Sequence, residues 1–248
     1  MTADNRHFYL RRIHSLLGVV PVGVFLLQHI YANFLAMWGP AVYDEHVHFI
    51  THQPLLVVLE IGGVFAPLAA HALLGVYFML DNKFNPAKYP YARNIMYTLQ
   101  RITAWITLFY VVFHVVQTRF TFSEEQKELM YNSMVGLFDK NKGWLAVVYG
   151  VGVVAASFHL CNGFFTFCIV WGITISKNAQ KWSFRLFMGL FLLMSAAGIA
   201  ALLPLTQTIK PPFVESEAGK AAEKNMGYGY QGTFQGGAKK PAPAKDDK

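Results

Sequence analysis

Five stretches of this chain are each long and apolar enough to cross a bilayer as a helix. They constrain the fold more than any other feature. They run from about Ile13 to Trp38, Pro54 to Leu80, Ile95 to Phe120, Trp144 to Ile175 and Phe184 to Leu205. A bilayer core is crossed by roughly 20 apolar helical residues. The runs are continuous and not alternating, so they read as helices and not as barrel strands. The fourth exceeds what a bilayer needs and is expected to tilt or extend past the lipid. The fold class expected is all-α, an integral membrane bundle of five transmembrane helices over residues 1–209. Residues 210–248 are rich in Gly, Pro, Lys and Ala, which cannot bury a core, and are expected to form a disordered polar tail.

Charge supports this reading. Only 14% of the 248 residues are charged and 54% are hydrophobic, against about 25% charged in a soluble domain. The net charge of +7 does not mark a nucleic-acid binder. Its lysines and arginines sit in short clusters between apolar runs and not along one stripe. The N-terminal segment carries Arg6, Arg11 and Arg12, the second loop Lys83, Lys88 and Arg93, and the fourth Lys177, Lys181 and Arg185. The first loop has no Lys or Arg, and the third offsets three lysines with Glu124, Glu125, Glu128 and Asp139. The positive-inside rule then puts the N-terminus in the cytoplasm and the C-terminus outside. The seven lysines of 210–248 run against the rule, but an appended tail weighs less than short loops. The first run is too long for a signal peptide and lacks a small-residue cleavage pattern. Cys161 and Cys168 are too few for an iron–sulfur cluster and make no disulfide framework.

Four histidines carry the chemistry. His29, His71, His114 and His159 each lie inside a separate apolar run, on four successive helices. An ionisable residue at membrane depth is a functional candidate. The plainer role, an interhelical hydrogen bond, is worth only about 0.6 kcal/mol on average, and it does not explain one histidine on each of four helices. Helices one and three start inside, so His29 and His114 lie in their outer halves. Helices two and four run the other way, so His71 and His159 lie toward the inside. The two levels differ by roughly 10–15 Å at 1.5 Å per residue. Zinc is the rival metal, but two depths do not make one tetrahedral site. Two neutral imidazoles on opposite faces of each of two haems fit better. Gly75 and Gly163 follow His71 and His159 by four residues and share their faces, leaving room for a flat macrocycle or for a neighbouring helix. His46, His48 and His52 lie in or beside the first outer loop. Clustered loop histidines can bind metal, though solvated side chains are the plainer reading.

The motifs RRIHSLLG (11–18), LLQHIYANF (26–34), AAHALLGVY (69–77), FHVVQT (113–118) and SFHLCNGF (157–164) resemble the single-chain, di-haem cytochrome b subunit of succinate dehydrogenases and fumarate reductases. The resemblance covers about residues 5–208. It implies that His29 and His114 bind an outer haem b and His71 and His159 an inner one. It also implies a multi-pass subunit of the bacterial cytoplasmic membrane, acting in respiratory electron transport. Such a subunit anchors a flavoprotein carrying FAD and an iron–sulfur protein on the cytoplasmic face, and exchanges electrons with a quinone, usually menaquinone. The chain itself has no dinucleotide fingerprint, so the dicarboxylate chemistry would lie in the flavoprotein. Whether the complex forms a higher oligomer stays open.

Glu60 is the one carboxylate well inside an apolar run. It lies about three turns outward of His71 and is a candidate proton carrier at an outer quinone site. A locally bonded helix-end carboxylate is its alternative. His14, at the entrance of helix one, is a candidate for an inner quinone pocket or for docking the iron–sulfur subunit, with interfacial hydrogen bonding the alternative. Arg101 and Arg119 are candidate partners of the inner and outer haem propionates, with positive-inside anchoring the alternative for Arg101. Two other functions remain open from sequence: a di-haem cytochrome b of a hydrogenase or formate dehydrogenase, and a haem-free transporter with a histidine proton relay.

Overall fold

In lipid every backbone N–H and C=O must be satisfied within the protein, so continuous apolar runs fold as helices. The computed structural model describes residues 3–81, 88–141 and 143–226, and these contain helices and no strand. Five helices among them are long and apolar enough to cross a membrane: Asn5–Trp38, Leu56–Leu80, Ala92–Phe120, Trp144–Val170 and Lys177–Leu205. Lys83, Lys142 and residues 227–248 lie outside the described residues.

The helices depart from regularity at identifiable places. The first span is interrupted at Val20, just before Pro21, whose missing N–H and ring break the ladder. The second and third spans contain π-helical turns, Leu59–Phe65 and Val116–Phe120. The fourth span ends at Val170 and not at Ile175. Gly172 takes a φ of +70° there, and the Ile173 N–H closes onto the Cys168 carbonyl at 2.8 Å while the Gly172 N–H meets Ile169 at 3.1 Å. This double closure satisfies the last carbonyls and needs a left-handed residue, which glycine supplies without a Cβ penalty. The same span is apolar on every face, and more of its apolar window is enclosed by protein than in any other span.

The described residues divide into two compact units. The first comprises the described residues within 1–29, 55–114 and 151–196, and the second those within 30–54, 115–150 and 197–226. In the first unit, segments assigned above to the cytoplasmic side meet. His7 and Tyr77 share a 3.3 Å contact. Arg12 donates to the Val170 carbonyl at 3.4 Å and lies 5.0 Å over the Trp171 ring. Arg93 donates to Gln180 Oε1 at 2.7 Å. A guanidinium at a helix C-terminus also complements the partial negative charge of the last carbonyls.

The second unit contains helices in segments that carry no membrane-length apolar run: Pro40–Thr51, Glu124–Glu128, Met130–Lys140 and Glu217–Met226. Asp44 is fully buried, and its Oδ1 accepts the Tyr131 backbone N–H at 2.8 Å. That N–H belongs to the first turn of Met130–Lys140, which has no side-chain cap of its own. Asp44 thus caps this helix from another one and places negative charge at its positive end. Burial, with Asp44 beside it, raises the Tyr43 phenol above its usual range. The structure differs from the sequence reading after Lys210. The Phe213 N–H bonds the Met37 carbonyl at 3.0 Å, and the Phe213 ring packs 4.7 Å from Trp38. Val214 and Pro211 also line Gly39, and helix Glu217–Met226 packs on helix Pro40–Thr51 with Ala222 buried, so residues 211–226 are held by contacts that composition does not reveal.

Candidate haem-binding site

All four span histidines fall within the first unit, and the structure brings them together in two pairs. The rings of His29 and His114 stand 5.7 Å apart at 67°. Those of His71 and His159 stand 6.2 Å apart at 76°. Two imidazoles bound to one iron from opposite sides place their ring centroids about 6 Å apart, taking about 2 Å for each metal–nitrogen bond, as for zinc. Both pairs have this spacing. His14 does not compete as a partner of His71. Its ring lies flat on the His71 ring at 4.1 Å and 10°, too close and too parallel for a metal between them.

Backbone carbonyls set the tautomers of the His71–His159 pair. His71 Nδ1 lies 2.8 Å from the His14 carbonyl, and His159 Nδ1 lies 3.2 Å from the Gln100 carbonyl. A carbonyl oxygen can only accept, so each Nδ1 carries the proton and each Nε2 keeps its lone pair. This is the arrangement in which a ligating histidine is held by its other nitrogen. The donor set therefore fits a haem iron bound by neutral imidazoles.

Gln100 and Asn162 complete the surroundings of His159. Gln100 Nε2 donates to the His159 carbonyl at 2.9 Å, and its Oε1 accepts from Asn162 Nδ2 at 2.9 Å. Sequence reasoning passed over both. The signal was present, since each is an amide inside an apolar span, where polar side chains need a specific partner. The tight glycine is also a different one. A Cβ on Gly18 would fall on the His71 ring, whereas one on Gly75 would stand 3.2 Å from His14 Nε2 and one on Gly163 would make an ordinary 3.7 Å contact with Gln100. On the other pair, Phe25 stacks on His29 at 5.4 Å and Tyr110 on His114 at 5.7 Å. A Cβ on Gly152 would fall on the Tyr110 ring, so this glycine admits the aromatic that backs His114.

The bonds from His14 and Gln100 also measure the distance between the two levels. His29 follows His14 by fifteen residues, and His114 follows Gln100 by fourteen. At 1.5 Å per residue, the two helices give about 21–22 Å between backbone levels, more than residue positions alone suggested. Side chains lean toward their own helix N-terminus, which brings the rings of antiparallel helices closer than that.

The remaining candidates are placed as follows. Arg101 is buried, with its guanidinium donating to the Met79 carbonyl at 2.7 Å, eight residues past His71, and lying 5.6 Å over Tyr97. Arg119 lies in the second unit, in the π-helical turn that ends the third span. Glu60 lies in the π-helical turn near the start of the second span. Such turns recur at functional sites.

The succinate dehydrogenase cytochrome b558 subunit of Bacillus subtilis (strain 168) is 38% identical over 200 residues, covering 81% of this chain and 98% of that protein. No family model matches.

Proposed function

The chain belongs to the family of succinate dehydrogenase cytochrome b subunits, and on that premise we propose that it carries two b haems and passes electrons between an iron–sulfur protein and a quinone. The observation that supports this most strongly is the pairing of four imidazoles from four successive spans, with ring centroids 5.7 and 6.2 Å apart. His29 and His114 would hold one haem, and His71 and His159 the other. Bound haem would supply one-electron transfer across the bilayer.

The chain's own residues supply the setting. The His14 and Gln100 carbonyls hold protons at Nδ1 of His71 and His159, which keeps each Nε2 available as a ligand. Arg101 holds a positive charge at membrane depth, where an anion such as a propionate is a favourable partner. The basic segments gathered at one end of the first unit would face the cytoplasm and receive the iron–sulfur and flavoprotein subunits. His14, stacked on His71, stands where an inner quinone or that docking partner would approach. The membrane would be the bacterial cytoplasmic membrane, and the quinone menaquinone or a close analogue.

Removing the chain from its own cells tests this function. The flavoprotein and iron–sulfur subunits should move to the soluble fraction, keeping succinate–dye activity and losing succinate–quinone activity. Membrane-bound quinone reduction that survives would overturn the reading.

Quinone reduction consumes protons, so a carboxylate near the site is useful. Glu60 takes that role here, holding the transferable proton on its carboxyl oxygen. Glu60→Gln is expected to lower quinone turnover by about a hundredfold or more with both haems retained, since a positioned general acid contributes roughly 10²–10⁴-fold. Turnover equal to wild type in this variant would remove Glu60 from the mechanism.

A further inference from the structure

Two histidines and a glutamate in the second unit belong to neither pair. His48 lies in the last turn of helix Pro40–Thr51, and His52 is the residue that caps its C-terminus. Four residues apart, they share one face, and their rings stack at 3.6 Å and 17°. Glu128, at the end of helix Glu124–Glu128, turns its carboxylate to both. His52 Nε2 is 3.8 Å from Oε1, and His48 Nε2 is 4.0 Å from Oε2.

An ordinary ion pair would use only one of the two rings, at 3.8–4.0 Å from Glu128, and leaves the convergence of the second unaccounted for. If both rings were protonated, two cations would stack at 3.6 Å. If both are neutral, Glu128 faces lone pairs or weak donors at distances beyond a good hydrogen bond. The His52 ring is also oriented from behind. Its Nδ1 lies 3.0 Å from the His48 carbonyl, with Thr51 Oγ1 at 3.3 Å. The carbonyl can only accept, so Nδ1 carries the proton and Nε2 offers its lone pair on the Glu128 side. A ligating histidine is held by its other nitrogen in this way.

We propose that His48, His52 and Glu128 form a surface site for a divalent transition metal of the zinc class, linking helix Pro40–Thr51 to helix Glu124–Glu128. Three donor atoms, one from each side chain, lie within 4.8 Å of one another. Tetrahedral ligands bonded at about 2.0–2.1 Å stand about 3.4 Å apart. The two rings must splay out of their stack so that both Nε2 lone pairs converge on one ion, and all three side chains are about half exposed and free to do so. Two imidazoles and one carboxylate leave a fourth position for water. This donor set suits Zn²⁺, Cu²⁺ or Ni²⁺, whereas Ca²⁺ and Mg²⁺ call for all-oxygen sites.

The test uses the intact membrane complex, purified without a metal-affinity tag, stripped with chelator and dialysed against Zn²⁺ alone. Bound zinc is then counted in wild type, in the His48→Ala/His52→Ala double variant and in Glu128→Gln. The double variant should bind one Zn²⁺ fewer per chain, Glu128→Gln should bind at least tenfold more weakly, and His46→Ala should match wild type. Unchanged haem absorbance would show that each variant is folded. Equal zinc content in wild type and the double variant, or equal displacement by Mg²⁺, would overturn the site.

Discussion

Replacing His71 with alanine is expected to reduce the haem content from two per chain to about one and to abolish succinate–quinone activity. His71 faces His159 across 6.2 Å, and its loss leaves His159 without the imidazole opposite it. His14 cannot take over without moving, because its ring lies flat against the position His71 occupies, 4.1 Å away. The other pair shares no ligand with this one, so one haem should survive. A pyridine haemochrome count on the purified complex reads the result. His114→Ala should give the same stoichiometry by removing the other haem, and the two variants should differ in which redox component is lost. Two haems retained in His71→Ala would show that this histidine is not a ligand.

Gly18→Val is expected to cost the same haem through a residue that touches no metal. In an exposed helix, replacing glycine with alanine gains about 1 kcal/mol of helix propensity. At Gly18 that gain is overridden, because the new Cβ would fall on the His71 ring. The ring must move, breaking the Nδ1–H bond to the His14 carbonyl that fixes its tautomer. Overpacking of this kind typically costs about 1–3 kcal/mol. The valine variant should therefore lose most of one haem and melt at a lower temperature, with alanine intermediate. Gly163→Ala serves as the control, since its Cβ would make only an ordinary contact with Gln100; both haems should remain. Gly18→Val with full haem content and an unchanged melting temperature would contradict the packing described for His71.

What was legible in the sequence follows from what is local. Span length and apolar continuity are properties of consecutive residues, so all five spans could be read directly. Which histidines meet in space follows from helix direction and depth, since neighbouring spans run antiparallel and helical rise is constant. The stacking of His14 on His71 was not legible, because it depends on how two spans rotate and slide against each other. The buried Asp44 cap was hidden for a related reason: donor and acceptor lie 87 residues apart. The end of the fourth span was missed because apolarity continues through Ile175 while Gly172 turns the backbone. The His48–His52–Glu128 cluster required a fold in two loops that composition marks only as polar.

Near-infrared magnetic circular dichroism of the oxidised complex, quantified per chain, tests most directly how the four span histidines are used. Its charge-transfer bands report the axial ligands of low-spin haem iron. Two bis-imidazole haems per chain are predicted. A single haem, or a band marking any axial ligand other than imidazole, would contradict the pairing of His29 with His114 and of His71 with His159.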